Sequence, residues 1–353
     1  MQLVLYFISI VSSNYLKSRK RGGIIAKLVF YVSLFFFIMN SALNIPDAEN
    51  YIIFYDYVGQ LDTSPLYALI QIPFIKAGVT FPVFKAILYI IFFYLLSVNF
   101  RKINVNSYYV FFLMLLSVFF TSAIQIRNFC AMCVLTIGLI YLLKEGKYNR
   151  IIFLFLIIIA SLFHSSFIVY VVFLIPLPKK EKYRKYLLMT YFMLFICAYI
   201  MLFFNKNLLL NFLLAFGVYE RDKISFYTSS ITYLGPLIIF ISQIYTIIMF
   251  YYCYKRIKHI DRNTIIIIEN TLFINVLSIP LCGLSLLNLN FYRLIRNIVL
   301  INFGVLTVFL KKRTKTKTID IASVLSFNYL FLWFIMDVFL LHSFDKIIFS
   351  FFN

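Results

Sequence analysis

Long apolar runs free of charged residues are the feature of this sequence that most constrains its fold. Several of them approach or exceed the ~20 residues that an α-helix needs to cross ~30 Å of hydrocarbon. Only 13% of the 353 residues are charged and 63% are hydrophobic, whereas a soluble domain carries roughly 25% charged residues. The short alternating strands of a membrane barrel are absent. The sequence therefore predicts an all-α fold, a polytopic bundle of transmembrane helices.

The apolar runs predict about twelve spans in one integral membrane domain, residues 1–353. The spans lie near residues 2–16, 25–43, 81–99, 107–123, 128–143, 150–164, 166–177, 186–204, 231–254, 264–287, 291–310 and 318–342. Two longer connections, 44–80 and 205–230, are too short to form separate domains. We expect them to be re-entrant or interfacial segments on the outer side. No internal repeat is visible, which disfavours the common secondary-transporter architectures.

The basic residues occupy alternate connections between the predicted spans. About 23 of the 33 lysines and arginines lie in six of these connections. The six are residues 17–23, 101–106, 144–150, 178–186, 255–262 and 311–317. The positive-inside rule places this set in the cytoplasm and both termini outside. Because the charges are dispersed between apolar runs and form no single basic face, the net charge of +20 does not indicate a nucleic-acid partner.

Four ionisable side chains are predicted at the level of the outer leaflet: Arg127, His164, Arg293 and Arg296. Such groups are costly at membrane depth and persist where they line a wet cavity or have a function. The three-residue spacing of Arg293 and Arg296 predicts neighbouring positions on one helix face, near the positive end of the helix dipole. Guanidinium groups match phosphate oxygens in pairs. The pattern favours a phosphate site, although arginines that anchor at headgroups and a histidine that only packs remain alternatives.

Other candidate groups are less specific. The acidic segment 46–51 contains Asp47 and Tyr51 and suits sugar hydroxyls, a catalytic base or a solvated loop equally well. Asp337 and Glu269 fall inside predicted spans and are interpreted as hydrogen-bond partners between helices. The CxxC at Cys130 lies inside a span and is interpreted as helix packing. No ligand spacing predicts a metal, and no motif predicts a cofactor.

Three short segments resemble motifs of the EpsG-like branch of bacterial polysaccharide polymerases, which is related to the Wzy-type O-antigen and capsule polymerases. Residues 46–51 are similar to that family's outer Asp-x-x-x-Tyr segment. Residues 125–131 are similar to its Arg-Gln-x-x-Ala helix start, with Asn128 in place of the usual Gln. Residues 160–166 are similar to its turn of a small residue, three others and His. The late arginines at 293 and 296 resemble a basic helix start near the end of such proteins.

The resemblance implies an architecture like that of GT-C-type membrane glycosyltransferases and an active site facing outward from the bacterial cytoplasmic membrane. The implied reaction moves a growing glycan from undecaprenyl pyrophosphate to a second lipid-linked repeat unit, without a cofactor or metal. A chain-length regulator is a typical partner in the family. The implied catalytic residues are His164 and Asp47, with the identity of the base left open. The implied pyrophosphate ligands are Arg127, Arg293 and Arg296, and the implied substrate contacts are Tyr51, Gln125, Asn128, Arg221 and Tyr292.

Other functions are compatible with parts of this pattern. A ligase that transfers finished glycan to another acceptor would use the same phosphate site. A polysaccharide transporter or flippase would line its path with charges at mid-depth and on the cytoplasmic side, and a membrane acyltransferase would place its histidine in a tunnel open to the cytoplasm. The predicted outer location of the four ionisable groups disfavours the last two.

Overall fold

The computed structural model describes residues 1–18, 23–41, 46–57, 64–144, 146–176, 181–204, 234–256, 261–286, 289–312 and 321–339. These residues form α-helices joined by three 3₁₀ helices, and none of them forms a strand. The α-helices are α1 Gln2–Ser18, α2 Ile24–Asn40, α3 Pro46–Tyr57, α4 Pro65–Lys76, α5 Phe81–Phe100, α6 Ser107–Leu115, α7 Phe119–Ile124, α8 Ile126–Leu142, α9 Asn149–Phe163, α10 Glu181–Phe204, α11 Leu234–Arg256, α12 Arg262–Leu277, α13 Ile279–Leu284, α14 Tyr292–Arg296, α15 Val299–Lys312 and α16 Ile321–Phe339. The 3₁₀ helices are Arg101–Ile103, Ser165–Leu174 and Leu289–Phe291.

The prediction of an all-helical membrane protein is confirmed. Four helical segments among the described residues are long and apolar enough to cross a bilayer, and each has 23 residues, or ~34 Å of helix. They are Phe81–Ile103, Leu234–Arg256, Arg262–Leu284 and Leu289–Lys311. Every predicted span overlaps helical structure, but the other helices are shorter or more polar than these four. The count of twelve spans and their orientation therefore stay predictions.

Several predicted spans are interrupted helices. The predicted span 107–123 divides into α6 and α7, and the predicted span 264–287 divides at Ser278 into α12 and α13. Pro280 in the first turn of α13 explains the second break, because proline lacks the amide hydrogen needed to continue the preceding helix. The predicted span 166–177 coincides with most of the 3₁₀ helix Ser165–Leu174. The predicted span 291–310 divides into α14 and α15. The segment 44–80, predicted to lie on the outer side, contains α3 and α4, whereas 205–230 lies outside the described residues.

Small residues and aromatic rings hold the helices together. Helices α8 and α9 pack closely along their lengths, and a Cβ added at Gly138 would lie 3.0 Å from the Phe153 ring. Such close approach of backbones at small residues is the usual way that helices associate in a membrane. The Tyr89 ring on α5 stacks on Phe129 of α8 with their centroids 4.1 Å apart. This packing fixes α8, which carries part of the candidate site.

The segment Leu289–Lys311 lies at the centre of the bundle. Within its most apolar 18-residue stretch 89% of the residues are buried, against 56–67% in the corresponding stretches of the other three long apolar segments. Its Asn302 exchanges hydrogen bonds of 2.9 and 3.1 Å with Asn275 of α12 and donates to the Tyr329 hydroxyl of α16 at 2.9 Å. Gln243 of α11 donates to the Asn275 main-chain oxygen at 2.8 Å. Four helices are thus tied by buried amides around the segment that carries both late arginines.

Candidate functional site

The candidate site lies where helices are interrupted. Gln125 is the residue between α7 and α8, His164 joins α9 to the 3₁₀ helix Ser165–Leu174, and residues 289–298 contain a 3₁₀ turn and the five-residue helix α14. Irregular backbone at membrane depth is tolerated only where protein covers it or where it lines a wet cavity. Several polar side chains at these interruptions lie near one region of the bundle.

Arg127 is half-buried near the start of α8 and contacts α3 and the residue before α4. Its Nε donates to the Tyr51 hydroxyl at 3.3 Å, and its Nη1 donates to Ser64 Oγ at 3.1 Å. The guanidinium carbon also lies 5.2 Å from the centroid of the Tyr51 ring, within the range of a cation–π contact. All of these partners are neutral. The contacts orient the guanidinium without cancelling its charge, as an anion-binding group requires.

Arg296 occupies a different environment, since its side chain is fully buried. Nη1 donates to the Tyr292 hydroxyl at 2.8 Å, and Nη2 donates to Gln125 Oε1 at 2.9 Å. Nη1 also lies 3.5 Å from Oδ1 of Asp337 on α16, and both side chains have no exposed surface. Asp337 Oδ2 accepts from the Thr121 main-chain N–H of α7 at 3.1 Å. A buried charge pair with these extra hydrogen bonds joins α7, α14 and α16.

Arg293 lies three residues before Arg296 in α14 and is half-buried. Its Nε donates to the Asn290 main-chain oxygen at 2.9 Å, which holds the side chain back along the 3₁₀ turn. The sequence predicted a shared face for Arg293 and Arg296. In the structure both residues lie in the single turn of α14, but Arg296 is fully buried whereas Arg293 is half-buried.

Two asparagines fasten α8 to the end of α14. Asn128 Nδ2 donates to Asn297 Oδ1 at 3.0 Å, and Asn297 Nδ2 donates back to Asn128 Oδ1 at 3.3 Å. Both side chains are buried. Together with the hydrogen bond that Arg296 donates to Gln125, this pair attaches the residues on both sides of Arg127 to α14. Arg127 therefore keeps a fixed position relative to Arg293.

His164 ends α9 and lies close to both of these arginines. The guanidinium groups of Arg293 and Arg127 are near enough to act electrostatically on its ring. Ser166 Oγ is 2.9 Å from Nδ1, and the Phe167 ring packs edge-on with a centroid distance of 6.0 Å. The histidine is thus oriented by its own turn and lies within electrostatic reach of two positive groups from other helices.

The 3₁₀ helix after His164 is attached directly to α14. The hydroxyl of Tyr170 donates to the Leu294 main-chain oxygen at 2.8 Å, and Tyr170 is fully buried. Leu294 follows Arg293 in the chain. This bond therefore sets the distance between the histidine turn and the arginine turn.

Comparison with known protein families supplies the identity. The chain matches the EpsG family over residues 24–351. It belongs to the EpsG family. No curated protein and no solved structure matches it significantly. The resemblance read from the three short motifs is confirmed, and EpsG membership indicates a membrane polymerase of polysaccharide biosynthesis.

The structure of this EpsG-family chain brings together most of the predicted site residues whose side chains it describes. Arg127, Tyr51, His164 and Arg293 lie around one region, with Gln125, Asn128, Tyr292 and Arg296 packed behind them. Asp47 lies on α3 one helical turn before Tyr51, but its side chain is outside the described residues, as is the whole of Arg221. The roles assigned to all these residues stay predictions.

Several residues of this region escaped the sequence analysis of the EpsG-family chain. They are Ser64, Thr121 and Tyr170. None carries a charge, so the search for costly ionisable groups passed over them. Asp337 was interpreted as a hydrogen-bond partner between helices, and its bond to Thr121 of α7 agrees with that interpretation. Its pairing with Arg296 was not predicted.

The chemical character of the site is cationic. Arg127 and Arg293 provide guanidinium groups, and His164 provides a nitrogen that can exchange a proton. Within the described residues, no group of three or more His, Cys, Asp or Glu side chains is arranged to hold a metal. The arrangement suits a doubly or multiply charged anion whose chemistry requires a nearby proton acceptor.

Proposed function

We propose that this EpsG-family protein polymerises undecaprenyl-pyrophosphate-linked oligosaccharide repeat units into surface polysaccharide on the outer face of the cytoplasmic membrane. The observation that carries the proposal is the convergence of Arg127 and Arg293 on His164, from three separate helix interruptions, in a chain of this family. The arginines supply charge stabilisation, and the histidine supplies proton transfer.

The reaction breaks the bond between the anomeric carbon of the donor glycan and the pyrophosphate oxygen. The electron pair stays with undecaprenyl pyrophosphate, which leaves as an anion. A hydroxyl oxygen of the acceptor repeat unit forms the new bond to the anomeric carbon and loses its proton. Negative charge therefore develops on the pyrophosphate, and fixed positive groups beside it lower the barrier.

In our assignment Arg127 and Arg293 contact the pyrophosphate. Arg127 is well suited because its partners, Tyr51 and Ser64, orient it and leave its charge in place. Two guanidiniums on different helices can hold two phosphate groups at once. Preorganised donors of this kind need no reorganisation when the charge develops.

We assign Arg296 to a supporting role, which revises its predicted place among the pyrophosphate ligands. Its side chain is fully buried, and its Nη atoms bond Tyr292 and Gln125 beside Asp337. Direct contact with a substrate would require those bonds to break. Arg296 instead fixes Gln125, the residue that opens α8, and thereby the position of Arg127.

We assign His164 as the base and Asp47 as an acceptor contact. His164 is near both arginines, so a proton taken from the acceptor stays next to the developing pyrophosphate charge. With Ser166 at Nδ1, the opposite nitrogen Nε2 takes the proton. Asp47 shares a helix face with Tyr51, which contacts Arg127, so α3 brings the acceptor sugar toward the same region.

The first experiment uses a deletion strain complemented with variants, followed by gel analysis of surface glycan and blotting of the protein. Arg127→Ala and Arg293→Ala should each leave single repeat units at normal protein levels. Arg101→Ala, a matched loss of an exposed arginine outside the site, should give the normal ladder. A normal ladder from either site variant would remove that arginine from the mechanism. Full-length polymer retained on the lipid carrier in the deletion strain would instead identify a ligase.

A second experiment separates the two candidate bases in purified protein with lipid-linked substrate. His164→Gln should lower turnover by about 10²–10⁴-fold, the usual contribution of a general base. Asp47→Asn should mainly raise the acceptor concentration required for half-maximal turnover. The reverse result, with turnover lost in Asp47→Asn and kept in His164→Gln, would exchange the two assignments.

A further inference from the structure

A separate cavity lies at the opposite end of α9 from His164. Its volume is about 370 Å³, and it opens between the start of α9, the middle of α12 and the end of the 3₁₀ helix Ser165–Leu174. Arg150 is the second residue of α9, and His164 follows its last residue. Fifteen residues of helix separate the two places by ~22 Å, so this cavity is distinct from the candidate active site.

The rim of this cavity is polar and carries two positive side chains. Lys144 and Arg150 both line it, and the first turn of α9 adds the positive end of a helix dipole. Asn149 Nδ2 donates to the Lys144 main-chain oxygen at 2.9 Å, and Asn270 Nδ2 donates to the Leu143 oxygen at 3.2 Å. These amide bonds hold the basic rim against α9 and α12.

The deeper wall of the cavity is mostly apolar. Phe173 from the 3₁₀ helix and Ile266 and Phe273 from α12 line it. Glu269 of α12 also lines it, so the described side chains that line the cavity carry a net charge of +1. A ligand that satisfies both parts has an anionic head for the rim and an apolar body for the wall. That description fits an amphiphile better than a small free anion.

The position of the cavity agrees with such a ligand. Lys144 and Arg150 belong to the basic connection 144–150, which the positive-inside rule places on the cytoplasmic side. The cytoplasmic leaflet carries anionic lipids, and basic pockets between membrane helices on that side bind their headgroups. We propose that this cavity binds the phosphate headgroup of an anionic phospholipid of the cytoplasmic leaflet, with an acyl chain along the Phe173 and Phe273 wall.

The test measures thermal stability of the purified full chain in neutral detergent while lipid is added. Phosphatidylglycerol should raise the unfolding midpoint, whereas phosphatidylcholine and inorganic phosphate at the same concentration should not. Each of Lys144→Gln and Arg150→Gln should weaken the apparent affinity roughly fivefold, the effect of ~1 charge at an anionic lipid surface. Lys147→Gln is the matched control, since it removes a charge from the same connection but does not line the cavity.

Each outcome decides the proposal. Equal increases of the unfolding midpoint with phosphatidylglycerol and phosphatidylcholine would overturn it. So would a loss of apparent affinity in Lys147→Gln equal to that in Lys144→Gln and Arg150→Gln. A full shift with inorganic phosphate alone would make this a free-anion site and overturn the lipid assignment. Glu269→Gln should bind phosphatidylglycerol more tightly, because it removes the negative group from the wall. If the glutamine variants do not fold, Ile266→Trp supplies the test, because its larger side chain fills the space along the apolar wall. Ile266→Trp should abolish lipid binding in native mass spectrometry, whereas Lys144→Arg should retain it.

Discussion

Asp337→Asn is the sharpest test of the buried pair that holds the site. The substitution keeps the shape of the side chain and an oxygen for the Thr121 N–H, but it removes the charge 3.5 Å from Arg296. Arg296 then stays buried with only the neutral Tyr292 and Gln125 oxygens as partners. Breaking one half of a fully buried pair lowers the free energy of unfolding by about 3–5 kcal/mol.

The assay is thermal unfolding in detergent, combined with the surface-glycan ladder. At about 2 °C per kcal/mol, the unfolding midpoint of Asp337→Asn should fall by roughly 6–10 °C. The double variant Arg296→Met with Asp337→Leu removes both charges and should recover most of that loss, because apolar residues of similar volume replace buried ion pairs at little cost. A wild-type midpoint for Asp337→Asn would refute the pairing.

The same double variant separates the two roles of Arg296. If Arg296 only supports Gln125 and α8, a stable double variant keeps part of its polymerising activity. If Arg296 contacts pyrophosphate, the double variant stays inactive at a normal unfolding midpoint. Polymerising activity and the unfolding midpoint therefore have to be measured on the same protein preparations.

Three further substitutions probe the contacts around the site. Tyr51→Phe removes only the 3.3 Å hydrogen bond from Arg127 and should reduce polymer length mildly. Tyr51→Leu also removes the ring beneath the guanidinium, a contact worth about 0.5–2 kcal/mol, and should reduce polymer length strongly. Equal ladders from the two variants would contradict the cation–π contact. Asn128→Ala removes both hydrogen bonds between the two buried amides and should lower the free energy of unfolding by about 1–3 kcal/mol in a detergent melt. An unchanged midpoint would count against the amide pair. Tyr170→Phe removes the 2.8 Å hydrogen bond to the main chain of α14 and should slow turnover with little change in the unfolding midpoint. Unchanged turnover would show that this bond does not position the histidine.

Much of the architecture could be predicted from the sequence because charge and hydropathy act locally. Every predicted span overlaps helical structure. The break at Pro280 carried a local signal. The break between α14 and α15 carried none, since residues 289–299 contain neither glycine nor proline. Both arginines lie before that break, in α14, and the sequence did not predict that Arg296 would be fully buried while Arg293 is half-buried.

The site was predictable in its charged members and not in their partners. Arg127, His164 and Arg293 were found because each is costly at membrane depth. The Asn128–Asn297 pair joins positions 169 residues apart through neutral amides, and one sequence contains no signal for such a contact. For Asp337 the sequence indicated that a partner was needed, but only the packing of α16 on α7 identified Thr121 and Arg296.

The buried pair between α14 and α16 also affects how the chain is made. Arg296 is synthesised before Asp337, so it enters the membrane without its counter-charge, at a cost of up to about 2.5–3.5 kcal/mol, the value on insertion scales for the centre of a helix. Assembly is then completed only when α16 arrives and neutralises the centre of the bundle. A chain truncated after residue 312 should consequently be cleared by membrane proteases in a pulse-chase experiment, and adding Arg296→Met to that truncated chain should prolong its lifetime.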